Sequence, residues 1–177
     1  MPNAYLVTGP ESSGTRLMTA IIMACGAAGS AEHQQPWDTT DFPPAREFGV
    51  DIVFRRSIPH GGHIPNLVEI LQRMQQAGYT VRMVVMVRDM FACAHSQVRA
   101  GHVQDVVAAM ANIINAYRLI ATTITRVSCP AHFVPYEALI LHPEAIPEMV
   151  GCLGLTLDRP VSITDENAKY YRTLKEA

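Results

Sequence analysis

The segment that most constrains how this 177-residue chain can fold is Tyr5-Leu-Val-Thr-Gly-Pro-Glu-Ser-Ser-Gly-Thr-Arg-Leu-Met18. An apolar run of strand length passes through a Gly/Ser-rich turn into a helix-forming stretch. A helix opening at Ser13-Gly14-Thr15 leaves its first backbone N–H groups without intrahelical partners, and Gly14 has no Cβ to obstruct an approaching anion. The segment therefore reads as a strand, a phosphate-cradling loop and a helix.

Gly9 and Gly14 have the separation of a Walker A loop, but Thr15 stands where the nucleotide-binding lysine belongs and Arg16 where the magnesium hydroxyl belongs. This argues against an ordinary ATPase or kinase. Transfer of a sulfuryl group, which carries less charge than a phosphoryl group, can proceed with hydrogen bonds and cationic side chains alone.

Two further segments bear on the same ligand. Val81-Arg-Met-Val-Val-Met-Val-Arg-Asp-Met-Phe-Ala-Cys-Ala-His-Ser96 is an apolar strand ending in Arg88-Asp89 and followed by a helix. Arg88 at the strand end and Ser96 two turns along can converge on one phosphate, with a guanidinium fork and a hydroxyl. Phe133-Val-Pro-Tyr-Glu-Ala-Leu139 is followed by His142-Pro-Glu144 and Gly151-Cys-Leu-Gly-Leu155. In order and spacing the three segments resemble the sulfotransferase family that uses 3′-phosphoadenosine 5′-phosphosulfate (PAPS), and they span Leu6 to Leu155, most of the chain.

The resemblance implies that Ser12, Ser13, Gly14, Thr15 and Arg16 hold the 5′-phosphosulfate and that Arg88 and Ser96 hold the 3′-phosphate, with Tyr136 at the corner after the last strand. It also implies PAPS as co-substrate, adenosine 3′,5′-bisphosphate as product, and no required metal. The tail Thr164-Asp-Glu-Asn-Ala-Lys-Tyr-Tyr-Arg172 is similar to the segments with which relatives close over the nucleotide, so Lys169 and Arg172 are expected near the 3′-phosphate. Val53-Phe-Arg-Arg-Ser-Ile-Pro59 resembles the family's basic Lys-Thr-His strand end. One departure stands out: Ser12 occupies the position of a basic residue, whose charge Arg16, Arg55 or Arg56 would have to replace.

An acceptor hydroxyl needs a proton acceptor, and the candidates are Glu32, His33, His60 and His63. Glu32-His33 follows the first helix at nearly the distance at which some relatives, including tyrosylprotein sulfotransferases, carry an acidic pair. His60-Gly-Gly-His63 offers only two histidines, too few for a metal centre. Two other readings compete with sulfuryl transfer. One is a divergent P-loop nucleotide kinase, and the other is a nucleotide-binding module that has lost catalysis.

With 49% hydrophobic residues the chain can build a substantial core, and its length predicts one domain, 1–177. A formal net charge of -2 supplies no basic field for nucleic acid. The expected partner is a small-molecule, carbohydrate or peptide acceptor. Cys25, Cys93, Cys129 and Cys152 are scattered without a CxxC pair, as expected of thiols in a reducing compartment. No basic n-region precedes the first strand and no apolar run reads as a bilayer span, so the expected location is cytoplasmic, away from membranes.

Pattern and punctuation predict strands over 4–8, 50–54, 80–87 and 131–135, and helices over 15–26, 64–78, 90–100, 103–127 and 143–153. The alternation implies an α/β fold of three α/β/α layers with a mostly parallel sheet of the P-loop nucleotide-binding type. The segments 9–14, 55–63, 88–89 and 136–137 all follow strands, where such sheets bind ligands. Residues 31–46, which include Trp37, are too irregular for regular structure and are the expected acceptor-binding lid.

Overall fold

The structure is a computed structural model and describes residues 1–32, 42–165 and 167. The first strand, β1 (Asn3–Pro10), runs into α1 (Thr15–Ala24); a short helix α2 (Ala45–Phe48) precedes β2 (Ile52–Ile58), which is followed by α3 (Leu67–Gln76) and β3 (Thr80–Val87). Helices α4 (Met90–Arg99) and α5 (Val106–Arg126) then lead to β4 (Ala131–Pro135), α6 (Tyr136–Leu141), a single 3-10 turn over Pro143–Ala145, and α7 (Ile146–Cys152). Among the described residues the strands form one parallel sheet in the order β2-β1-β3-β4.

The two-residue pleat divides the core between the faces of this sheet. Ala4, Leu6, Phe54, Met83 and Val85 point to one side, where Leu71 and Met74 of α3 and Ala116 and Ile120 of α5 cover them. Tyr5, Val7, Val53, Val84 and Met86 point to the other, against Met18, Ile21 and Ile22 of α1, Leu139 of α6 and Val150 of α7. The step from β1 to β2 and the steps from β2 to β3 to β4 run in opposite directions, so crossovers of one hand put α1 on one face and α3 and α5 on the other. The reversal falls between β1 and β3. A crevice opens there at the strand ends, and it is the place where such sheets take ligands.

Several boundaries differ from the sequence expectation. Strand β2 extends to Ile58 because it pairs with β1 from Ala4↔Ile52 to Pro10↔Ile58, which draws Arg55 and Arg56 into the sheet instead of a loop. Helix α6, not foreseen, begins at Tyr136 directly after Pro135, and the helix expected over 143–153 is divided by the 3-10 turn. Residues 33–41, with Trp37 and most of the expected lid, lie outside the described residues.

The expectation that no segment has the makings of a bilayer span is also corrected. Helix α5 is 21 residues long and holds an 18-residue stretch with a mean hydropathy of 1.3, long and apolar enough by length and composition. Its buried residues Ala109, Ile113, Ala116, Ile120 and Thr123 form a single stripe facing the sheet and α4.

Candidate active site

Of the four helices of ten residues or more among the described residues, three open with a side-chain cap: Asn66 accepts from Glu69 N, Asp89 from Ala92 N and Asp105 from Ala108 N. Helix α1 is the exception, with Gly14 at its N-cap and no capping side chain. Among the described residues nothing accepts from the N–H groups of Gly14, Thr15, Arg16 and Leu17. A helix start at the ligand-binding end of a sheet, with its donors unpaired, is a site for an anion.

The loop before it is held from three sides. Ser12 adopts φ 65°, a conformation that costs a non-glycine residue of order 1 kcal/mol and persists where neighbours hold it. The holding group is Arg88, whose Nη1 donates to the Ser12 carbonyl at 2.5 Å. Gln97 Nε2 (2.9 Å) and the Cys93 thiol (3.1 Å) both donate to the Glu11 carbonyl, tying the loop to α4. Burial pushes the Cys93 thiol up to about 12, which keeps the hydrogen it donates. Thr15 Oγ1 meets Ser57 Oγ of β2 at 3.0 Å.

Gly14 is required twice over. Its φ is +95°, and a Cβ there would lie 2.4 Å from Tyr136 Cδ2. The Tyr136 ring thus lies against the bare backbone of Gly14, while the Arg88 guanidinium carbon sits 4.5 Å from the ring centroid. Arg88 also donates through Nε to Asn167 Oδ1 at 2.8 Å. Asn167 Nδ2 donates to Glu137 Oε1 at 2.7 Å, and the same oxygen accepts from Asp89 N at 3.0 Å. Asp89 therefore caps α4 and does not pair with Arg88.

Around this framework lies a cleft of about 470 Å3 lined by Ser12, Gly14, Thr15, Arg16, Leu17, Arg88, Ser96, His102 and Tyr136. It gathers most of the nucleotide-contacting residues expected from sequence. Ser13 departs from that expectation: its N–H is spent on the Pro10 carbonyl at 3.1 Å, and its side chain is fully buried and does not line the cleft. Lys169, Arg172 and His33 lie outside the described residues.

The candidate replacements for the missing basic charge separate. Arg16 lines the cleft, but Arg55 and Arg56 do not. Burial is the main cause that lowers both of these from the usual arginine value, Arg56 to about 10, and the Arg56 guanidinium lies 4.4 Å from the Phe54 ring centroid. Glu32 pairs with Arg16 at 3.1 Å, with both side chains mostly exposed, and lines no described cleft.

His60 and His63 exchange two 2.9 Å backbone bonds around Gly61 and Gly62, both at positive φ, in a tight two-residue turn. This turn presents the His60 ring to Glu11, Nδ1 to Oε1 at 3.2 Å, and forms one wall of a second chamber of about 310 Å3. Glu11, His102, Glu137 and Asn167, which line the second chamber or brace Arg88, are not among the individual candidates of the sequence, although Glu137 lies in the strand-end segment 136–137. Glu11 stood inside the singled-out loop motif, and Asn167 inside the singled-out tail; His102, just past α4, carried no local signal.

The fold has known counterparts. The chain is similar to the sulfotransferase domain from the Synechococcus PCC 7002 olefin synthase, with 13% identity, a TM-score of 0.59, and coverage of 94% of this chain and 76% of that one. It is also similar to the sulfotransferase domain from the curacin biosynthetic pathway, with 12% identity, a TM-score of 0.57, and coverage of 94% and 77%. No family model and no curated protein sequence matches it. The chain has a sulfotransferase-type P-loop fold.

Proposed function

We propose that this protein transfers a sulfuryl group from PAPS to an acceptor hydroxyl or amine. The observation that carries the reading is the meeting, in one cleft, of the unpaired N–H groups that open α1 with Arg88, Ser96 and Tyr136. Donors at a helix start suit the 5′-phosphosulfate, and a guanidinium and a hydroxyl on the far wall suit the 3′-phosphate.

PAPS supplies an activated sulfur with the bisphosphate as its leaving group. The chain's part is to bind, orient and neutralise. Gly14 to Leu17 N–H groups take the charge that grows on the leaving phosphate oxygen as the bond to sulfur breaks, in a position set before reaction. Arg16 adds a positive charge at the same wall, in the role that Ser12 cannot fill. Arg88, held by Ser12, Asn167 and the Tyr136 ring, grips the nucleotide at a distance from the reacting atoms and fixes its register.

The test is a thermal melt with adenosine 3′,5′-bisphosphate in EDTA. A ligand at a hundred times its Kd stabilises the native state by about 2.7 kcal/mol, a clear rise in Tm. Labelled PAPS screened against phenolic, carbohydrate and peptide acceptors then identifies the substrate. Magnesium-dependent ATP binding without bisphosphate binding would overturn the proposal in favour of a kinase.

A further inference from the structure

We infer that His102 is the group that takes the acceptor's proton and that Glu11 is its positioning residue, an assignment that rests on the sulfotransferase reading above. His102 lines both the 470 Å3 cleft and the 310 Å3 chamber beside it, the one side chain common to the two linings among the described residues. A donor in the first and an acceptor in the second meet at its imidazole. Gly101, at φ +72°, turns the chain out of α4, and His102 N closes onto the Gln97 carbonyl at 3.0 Å, which fixes the backbone at the junction.

Glu11 is a carboxylate only 5% exposed, between two histidines. Its Oε2 lies 4.0 Å from His102 Nδ1, and its Oε1 lies 3.2 Å from His60 Nδ1 and 3.4 Å from Gly61 N. A carboxylate beside Nδ1 favours the tautomer with hydrogen on Nδ1 and leaves Nε2 with a bare lone pair. Catalytic hydrogen bonds often reach full length only in the complex with substrate, so a 4.0 Å separation is compatible with this role.

The second chamber has the volume of a small acceptor group. Gly61 and Gly62 give it a wall without side chains, Pro59 and Ile64 add apolar surface, and Asn112 adds an amide. At about 310 Å3 it stands at the lower end of small-molecule sites, which fits one sugar ring or one phenolic ring. In the step itself the acceptor O–H bond breaks and its proton goes to His102 Nε2. The acceptor oxygen bonds to sulfur while the sulfur–oxygen bond to the bisphosphate breaks, the electron pair leaving on the phosphate. Glu11 balances the imidazolium that results.

The experiment uses the full chain, PAPS labelled in its sulfuryl group with water as the acceptor, adenosine 3′,5′-bisphosphate, and 15N-labelled histidine. His102→Ala should lower sulfate release on the order of a hundredfold, keep bisphosphate affinity within about threefold, and recover part of the rate with added imidazole. Nitrogen NMR should find hydrogen on Nδ1 of His102 in the wild type and on Nε2 in Glu11→Ala. Unchanged release, loss of bisphosphate affinity together with the rate, or an Nε2–H tautomer in the wild type would overturn the assignment while leaving the sulfotransferase reading intact. A wild-type protein that neither binds the bisphosphate nor releases sulfate would remove both.

Discussion

The loop between β1 and α1 faces two different neighbourhoods. On the Arg88 side every group is braced by another: Ser12 by Arg88, Arg88 by Asn167 and the Tyr136 ring, the ring by Gly14, and Asn167 by Glu137. On the Glu11 side the contacts are longer, up to 4.0 Å, and the wall is two glycines in a hairpin turn. A pocket for a donor of fixed shape gains from donors set in advance, whereas a pocket that must admit and release an acceptor gains from an open wall. The difference teaches that the loop meets one neighbourhood through its backbone and the other through one side chain, Glu11; under the proposed function these are the nucleotide and acceptor sides.

The largest effect should come from breaking the braced side at its centre. Arg88→Ala removes a buried charge-assisted donor and leaves the Ser12 and Asn167 oxygens without it. Bisphosphate affinity should fall on the order of a hundredfold, equivalent to about 3 kcal/mol. An analogue lacking the 3′-phosphate should lose far less. Equal losses for the two ligands in calorimetry would show that Arg88 only holds the loop, and the contrast between the two sides would then be structural alone.

Gly14→Ala tests whether the packing of the Tyr136 ring against the loop is as tight as the geometry says. An added Cβ meets Tyr136 Cδ2 at 2.4 Å on a backbone that alanine adopts with strain. The expected cost is about 2 kcal/mol of stability, and a Tm lower by roughly 4–8 °C in a chain of this size. A Tm within a degree of wild type would mean that the ring moves aside, and the Arg88 side would be as yielding as the Glu11 side.

The same contrast explains what was legible in the sequence. A parallel sheet announces itself through apolar runs alternating with helices, so β3 and β4 were foreseen to the residue. The lining of the 470 Å3 cleft was legible because its parts are local: a strand, a turn ending at Gly14 and a helix start lie within Leu6 to Met18, and Arg88 and Ser96 share one strand-helix unit. The Glu11 side draws on the loop, the hairpin turn after β2 and the end of α4, 91 residues apart from Glu11 to His102 in numbering. No short-range pattern links such positions. Ser13 misled for the opposite reason: its spacing in the motif is right, but a turn hydrogen bond to Pro10 takes its N–H, a geometry that the motif does not encode.

The smallest effect should fall on Glu32, and it decides between the two places where a proton acceptor has been sought. Spacing after the first helix makes Glu32 a candidate, yet its carboxylate lies on Arg16 at 3.1 Å with 69% of its side chain exposed. Exposed ion pairs of this kind contribute about 0.2–1 kcal/mol, and a solvated carboxylate already neutralised by a guanidinium has little pull on an acceptor proton. Glu32→Gln should therefore change turnover by less than about threefold, with bisphosphate affinity shifting only as far as the released Arg16 leans into the cleft. A hundredfold loss of rate at unchanged affinity would place the proton transfer at the rim of α1 and take it away from His102. The open chamber beside Glu11 would then need another explanation.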